Sequence, residues 1–341
     1  MAIIAQGFET LITNKGTEKC DFGELLERSR QIKEQWQNSI VINENGTNFN
    51  LDKDLKFHYM TDCGKKKEAD ISEFAFSQLC SRMGVPANYI KKCFANGKED
   101  LAIQNFRAWA NDTENNLLVR ENDGVVRAVL SDSYTPFDSY QVLRALKYTV
   151  DFKRWQPTQV YLSEDRLVVR FVDFTPIPVN DGSPLYLGFT VSSSDVGRGS
   201  LNAKMMIYRS VCTNGLLISS MGGTLYKQHH IGEAMSESKL NVFNKMLADI
   251  DTIGSQIVGN ISTCRKETLK DYEMKMYLEK AKREMKLSEK SMEKLQDLIS
   301  GTYEPTKWGI INGVTELAQD FTLETRLDME HWAGEFFAKT A

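Results

Sequence analysis

The spacing of apolar positions changes twice along the chain, from a period near 3.6 to a period of 2 and back again. In the first hundred residues it predicts helices with a short strand among them. Asp21 and Glu24 have the spacing of a capping box, and Leu25, Leu26, Ile32 and Trp36 follow at helical intervals. Asn45-Gly46 marks a turn, after which Leu55, Phe57 and Tyr59 alternate as in a strand. A helix beginning at Asp70 carries Ile71, Phe74, Leu79 and Met83 and stops at Gly84. Pro86 opens the next, with Tyr89, Ile90, Cys93 and Phe94 facing inward and Gly97 closing it. A third helix runs from about Glu99 to Ala110.

The middle of the chain reads as paired strands. Leu117–Glu121 and Val125–Leu130 flank Asn122-Asp123-Gly124, a strong hairpin signal. Gln159–Ser163 and Arg166–Asp173 flank Glu164-Asp165, and Leu185–Val191 and Ala203–Arg209 flank a polar Ser/Gly-rich loop. A helix capped at Asp138, with Val142, Leu143 and Leu146, is inserted after the first pair. From about residue 231 the period is helical again, with Phe243, Met246, Leu247, Ile250, Ile253, Ile257 and Ile261 forming a long apolar seam. Two final helices, near 305–319 and 323–338, carry Trp308, Leu317, Trp332 and Phe336. The fold class expected is α+β: an antiparallel sheet of hairpins with an inserted helix, flanked by N-terminal helices and a long C-terminal helical region. The corresponding regions are 1–112, mainly helical; 113–225, the sheet core; and 226–341, helical.

Composition adds class and compartment. The 341 residues include 42 Lys plus Arg against 46 Asp plus Glu, a net charge of −4, which argues against a polycation. A local basic groove stays open, because binding responds to the nearby field. Residues 265–299 hold ten basic and eight acidic side chains, the mixture of a solvated helix face. The first residues lack a basic, apolar secretory leader, and no run is long enough to span a membrane. Six scattered cysteines without a C-x-x-C pair suit reduced thiols, so a cytoplasmic protein is expected.

Familiar chemistry is missing from the sequence. His58, His229, His230 and His331 form no zinc-type motif, and neither a phosphate-cradling Gly-rich loop nor a nucleophile elbow occurs. Cys212, at the end of an apolar strand, reads as a packed thiol. The helix-Gly-Val-Pro-helix unit around 72–96 offers only Lys91 and Lys92 as basic donors, so it reads as a packing hairpin rather than a DNA reader. No metal, cofactor or catalytic residue is expected.

Two dense polar stretches remain, Arg127–Asp138 and Ser192–Ser200, the second continuing through Tyr208–Gly215. Arg120, Arg127, Lys204 and Arg209 are the candidates for neutralising a phosphate backbone. Tyr134 and Tyr208 would stack on bases, and Asp132, Asp195 and Asn214 would shape the turns presenting them. Arg170 is a further strand arginine of this kind. The competing reading pairs these cations with Asp132, Asp138, Asp173 and Asp195 as structural bridges. Residues 117–215 carry eleven basic against ten acidic side chains, which suits that reading equally.

At these residues the chain resembles the phage/plasmid-like family called domain of unknown function 932. The matching pieces are Leu79 with Gly84-Val85-Pro86-Ala87 and Tyr89, and Leu118-Val119-Arg120 with Val126–Asp132 and Tyr134. Further on come Ser194-Asp195-Val196-Gly197, Tyr208–Gly215 and Trp308–Glu316. Asp195 stands where such proteins carry Glu, and Gly313 where Ala is common. The resemblance implies a phage, prophage or plasmid origin, a cytoplasmic setting and a bias toward replication, recombination or host-defence conflict. Hairpins with an inserted helix and long C-terminal helices also look like phage single-strand annealing proteins of the Rad52/Redβ kind, a fold-level analogy. The function expected is single-stranded nucleic-acid binding or annealing by a homo-oligomer. The alternative is a counter-defence protein that binds a host defence component, with the seam from Phe243 to Ile261 supporting an oligomer. A third is an enzyme using Asp132, Tyr134 and Arg209.

Overall fold

The hairpin turning at Asp123-Gly124 and the hairpins after residue 155 enter different sheets. In a computed structural model, the described residues are 11–13, 22–44, 48–112, 116–163, 165–177, 185–209, 214–218, 224–228 and 237–340. The chain begins β1 (Leu11–Thr13), α1 (Phe22–Gln35), β2 (Trp36–Val41), β3 (Phe49–Leu51), β4 (Phe57–Met60) and β5 (Lys66–Ile71). Next come α2 (Glu73–Arg82), α3 (Ala87–Ala95), α4 (Glu99–Asn111), β6 (Leu117–Asn122), β7 (Val125–Ser131) and α5 (Ser139–Thr149). Strands β8 (Trp155–Leu162), β9 (Leu167–Asp173), β10 (Leu185–Ser193), β11 (Leu201–Arg209), β12 (Asn214–Ile218) and β13 (Thr224–Gln228) follow. Helices α6 (Glu237–Lys266), α7 (Asp271–Met285), α8 (Glu289–Gly301), α9 (Lys307–Leu317) and α10 (Leu323–Thr340) complete it. The class is α+β, with antiparallel pairing predominant and a helical C-terminal region.

The first sheet has the order β2-β6-β7-β5-β4-β3. Its β5–β7 pair is parallel, with Ile71 opposite Val126, so the chain between those strands must cross over and return. Helices α2–α4 lie in that connection and cover one face, where Phe76, Leu79, Ala102 and Phe106 share a core with Leu117, Val119 and Val129. Pairing with β7 also moves the start of α2. Asp70 and Ile71 are spent on the sheet, so the helix begins at Glu73, with Ser72 Oγ accepting from Ala75 N at 3.2 Å. Similarly, Trp36 pairs with Asn122 of β6 and opens a strand instead of ending α1. From β2 to α4 the N-terminal region is therefore a helical layer on a sheet that borrows its centre from β6 and β7.

The second sheet has the order β1-β8-β9-β10-β11-β12, and β13 pairs with the N-terminal half of β11. Strand β9 is buried at every position, as a continuous apolar run covered on both faces should be. On one face Phe171 stacks on Phe189, centroids 4.9 Å apart, and meets Phe22 of α1 at 6.1 Å. On the other, Val172 and Met206 pack against Leu327 of α10.

The C-terminal helices extend this core. Ile250, Ile257 and Ile261 of α6 are buried, in agreement with the seam read from the sequence. The side chains of Phe243, Met246, Leu247 and Ile253 lie outside the described residues, as do Cys212, His229 and His230 entirely. Residues 308–315 of α9 are buried all round, and an added Cβ on Gly313 would come within 3.0 Å of Leu295, so α8 packs close here.

Candidate functional site

The alternation of β6 sends Leu117 and Val119 into the core under α2–α4 and leaves Leu118 and Arg120 on the opposite face. That face meets the second sheet. Leu118, Ala128 and Leu130 pack there on Val196, from the loop joining β10 to β11. The loop is held closely. Gln78 of α2 accepts from Val129 N at 3.0 Å and donates to the Val196 carbonyl at 2.8 Å. Gly197 has φ +78°, and a Cβ there would lie 2.5 Å from Leu130, so only glycine fits.

Arg120 sits at the centre of this junction with no exposed surface. Its Nε donates to Asn38 Oδ1 at 2.9 Å, its Nη2 to Asp138 Oδ1 at 2.7 Å, and its Nη1 to the Asp195 carbonyl. Its guanidinium lies 4.3 Å from the ring centroid of Trp36. Asp195 Oδ1 accepts from both the N and the Oγ of Ser139, each at 2.7 Å, so this carboxylate occupies the N-terminus of α5 beside Asp138. Tyr134 donates to the Ser194 carbonyl at 3.3 Å, and burial raises its phenol above the ordinary value. Burial first, then the charge of Asp138, pushes the Asp195 carboxyl up to about 7 against the lowering influence of Ser139 and Arg120.

The residues singled out from the sequence are thus divided. Arg120, Tyr134 and Asp195 come together, but inside the molecule. A phosphate backbone has no access to Arg120 in this arrangement, and the bridging role to Asp138 that competed for it is the one observed. Arg127 is buried as well, for a reason invisible in the sequence. The β6–β7 register shifts between Arg120 opposite Ala128 and Glu121 opposite Val126, which leaves Arg127 as the extra residue of a bulge. Asp132 is exposed and accepts from Asn116 Nδ2 at 3.2 Å. Lys204 is half-buried on β11 opposite Thr190. Tyr208 and Arg209 lie at the far end of β11 from the Ser194–Ser200 loop, with Arg209 opposite Asn214 of β12; their side chains lie outside the described residues. Arg120, Arg127 and Asp195 are therefore buried and line no open groove.

Arg170 of β9 is also interior, paired with Glu330 of α10, whose Oε1 accepts a second arginine, Arg326, at 3.0 Å. Glu330 had no signal in the sequence beyond its place on a helix expected to pack. Trp36, Asn38, Gln78 and Ser139 were missed too, because their roles depend on contacts between segments up to 118 residues apart.

Exposed aromatic side chains lie elsewhere, Tyr148, Phe174 and Tyr272 singly and two on neighbouring helices. On α4, Leu101, Asn105 and Trp109 form a stripe at four-residue spacing, with Leu101 47% and Trp109 53% exposed. Tyr89 of α3 is 37% exposed and its hydroxyl accepts from Asn105 Nδ2 at 2.6 Å, so it faces outward and not into the core as its spacing suggested. Lys92, Lys98 and Arg107 are exposed on or beside the same two helices. Among the described residues, no group of three His, Cys, Asp or Glu is placed to hold a metal ion, and no helix is long and apolar enough to cross a membrane.

Fold and junction define an α+β protein of two sheets that meet at the buried Arg120–Asp138 pair. Residues 126–330 match the family model described as Domain of unknown function (DUF932), and the chain belongs to that family. No curated protein and no solved structure matches it.

Proposed function

We propose that this chain is a cytoplasmic, phage- or plasmid-type protein that binds single-stranded nucleic acid as a homo-oligomer in recombination or DNA metabolism, through the outer face of α3 and α4. The observation that carries this reading is the outward placement of Trp109 and Tyr89, with exposed Lys92 three residues beyond Tyr89 on α3 and exposed Lys98 at the N-cap of α4. Every base offers a π-face, so stacking on such rings tolerates any sequence and contributes about 1–3 kcal/mol per base, while nearby cations follow the backbone. The strand arginines Arg120, Arg127 and Arg170 are committed to the interior, so the reading rests on the helices and not on these strand cations. Fluorescence anisotropy with a labelled oligothymidylate tests it. Binding is expected at low salt, weakening as salt rises, and Trp109→Ala is expected to weaken it about tenfold or more. No affinity at low ionic strength, or equal affinity of the variant, overturns it.

The counter-defence reading is favoured by one feature of the same stripe. Leu101 extends it with an aliphatic side chain, which suits a protein surface better than a base. A host protein retained by the wild-type chain after nuclease treatment, and lost with Leu101→Asp, would support that partner class.

A further inference from the structure

Two buried carboxyl groups stand beside one buried cation where the sheets meet. Asp138 and Asp195 are 6% and 7% exposed, and Arg120 is fully buried. The guanidinium commits its carboxylate bond to Asp138, whereas it reaches Asp195 through the main-chain carbonyl. The Asp195 carboxyl faces Arg120 from β6, Asp138 and the Ser139 donors from α5, and Tyr134 from the β7–α5 connection. The element packed beyond it, α2, contributes the neutral Gln78, which holds Val196. Arg198, in the same loop, turns away to Asp165 and Glu324. With both carboxyls ionised, the buried cluster carries an excess negative charge, which a low-dielectric junction disfavours.

We propose that Asp195 is a proton-operated latch on the junction of the two sheets: protonated, it seats the Ser194–Ser200 loop against β6, β7 and the start of α5, and ionised, it loosens that seating. The position of the titration follows from the same burial, which moves Asp195 up to about 7. An aspartate in the unfolded chain titrates near ~3.9. Between these values the folded state holds a proton that the unfolded state has released, so stability falls as pH rises through the interval and levels off above it. The proton resides on Asp195, whose carboxyl lacks a bond to the arginine.

Chemical unfolding of the wild-type chain and of Asp195→Asn between pH 5 and 8 tests the latch. The folding equilibrium constant of the wild type is expected to fall about tenfold or more relative to the variant over that range, because each pH unit across which the folded chain alone holds the proton weakens folding about tenfold. Parallel profiles overturn the proposal. Hydrogen exchange of residues 194–200 in the wild-type chain needs no variant. After correction for the intrinsic pH dependence, protection is expected to drop about tenfold or more from pH 6 to pH 8, and unchanged protection overturns it equally.

Discussion

Arg120 and Asp138 meet across the junction of the two sheets, Nη2 to Oδ1 at 2.7 Å, with neither side chain more than 8% exposed. One stands on the solvent-denied face of β6 and the other at the N-cap of α5, so the pair fixes the first sheet to the helix that covers the second. Removing the cation leaves a carboxylate in a dry site. Arg120→Ala is expected to cost about 3–5 kcal/mol, measured by urea unfolding. Arg120→Lys is expected to recover only part of this loss, because an ammonium cannot reproduce the three-way fork to Asn38, Asp138 and Asp195 or lie flat on Trp36.

The second buried cluster has the opposite imbalance. Arg170 and Arg326 share the single carboxylate of Glu330, which is fully buried. Glu330→Ala strands two guanidinium groups and is expected to cost about 3–5 kcal/mol. Arg326→Met leaves a matched Arg170–Glu330 pair and is expected to cost clearly less. Equilibrium unfolding of the two variants side by side checks the order; equal losses would refute it.

Acid stability should depend on Asp173. Burial alone would raise this carboxyl, but hydrogen bonds from Arg154 Nε at 2.7 Å and Thr175 N at 2.8 Å outweigh it and hold the group below its ordinary range. The unfolded state then takes up a proton at higher pH than the folded state does. Stability from this group is complete above ~4 and lost as pH falls through the lower folded value. Asp173→Asn is expected to reduce the acid slope of thermal stability below about pH 4, read by melting curves from pH 2 to 6.

Two helical glycines should respond in opposite directions. A Cβ on Gly309 of α9 would sit 1.9 Å from the Glu304 carbonyl oxygen, a main-chain atom with little freedom to move. Gly309→Ala is expected to destabilise by about 1–3 kcal/mol. Gly259 of α6 has open space at the same position, and Gly259→Ala is expected to stabilise by about 0.5–1 kcal/mol. Melting temperatures of the two variants give the signs directly.

Local pattern was a good guide wherever one segment decides its own state. The hairpin of β6 and β7 turns where Asp123 and Gly124 both adopt positive φ, at 52° and 72°, as the Asp-Gly pair indicated. The helix boundaries at Ser72 and Trp36 shifted because distant strands claimed those residues, and no local propensity records such a claim. The arginines show the same limit. On a strand, Arg120 and Arg170 read as surface cations, and what buries them is a carboxylate 18 residues away in one case and 160 in the other. Arg127 depends on a single extra residue in the ladder, a register property that sequence spacing cannot carry.

The family match begins at Val126, one residue into β7. A fragment cut to the matched span would keep that strand and discard its neighbours, β6 on one side and β5 on the other, along with the helices α2–α4 that roof them. Val129 would lose its apolar cover, Asp138 would lose Arg120, and the ladder groups of β7 would stand open on both edges. The boundary that sequence similarity draws is therefore not one at which the molecule can be divided, and any autonomous piece carrying the shared segment must reach back at least to β2.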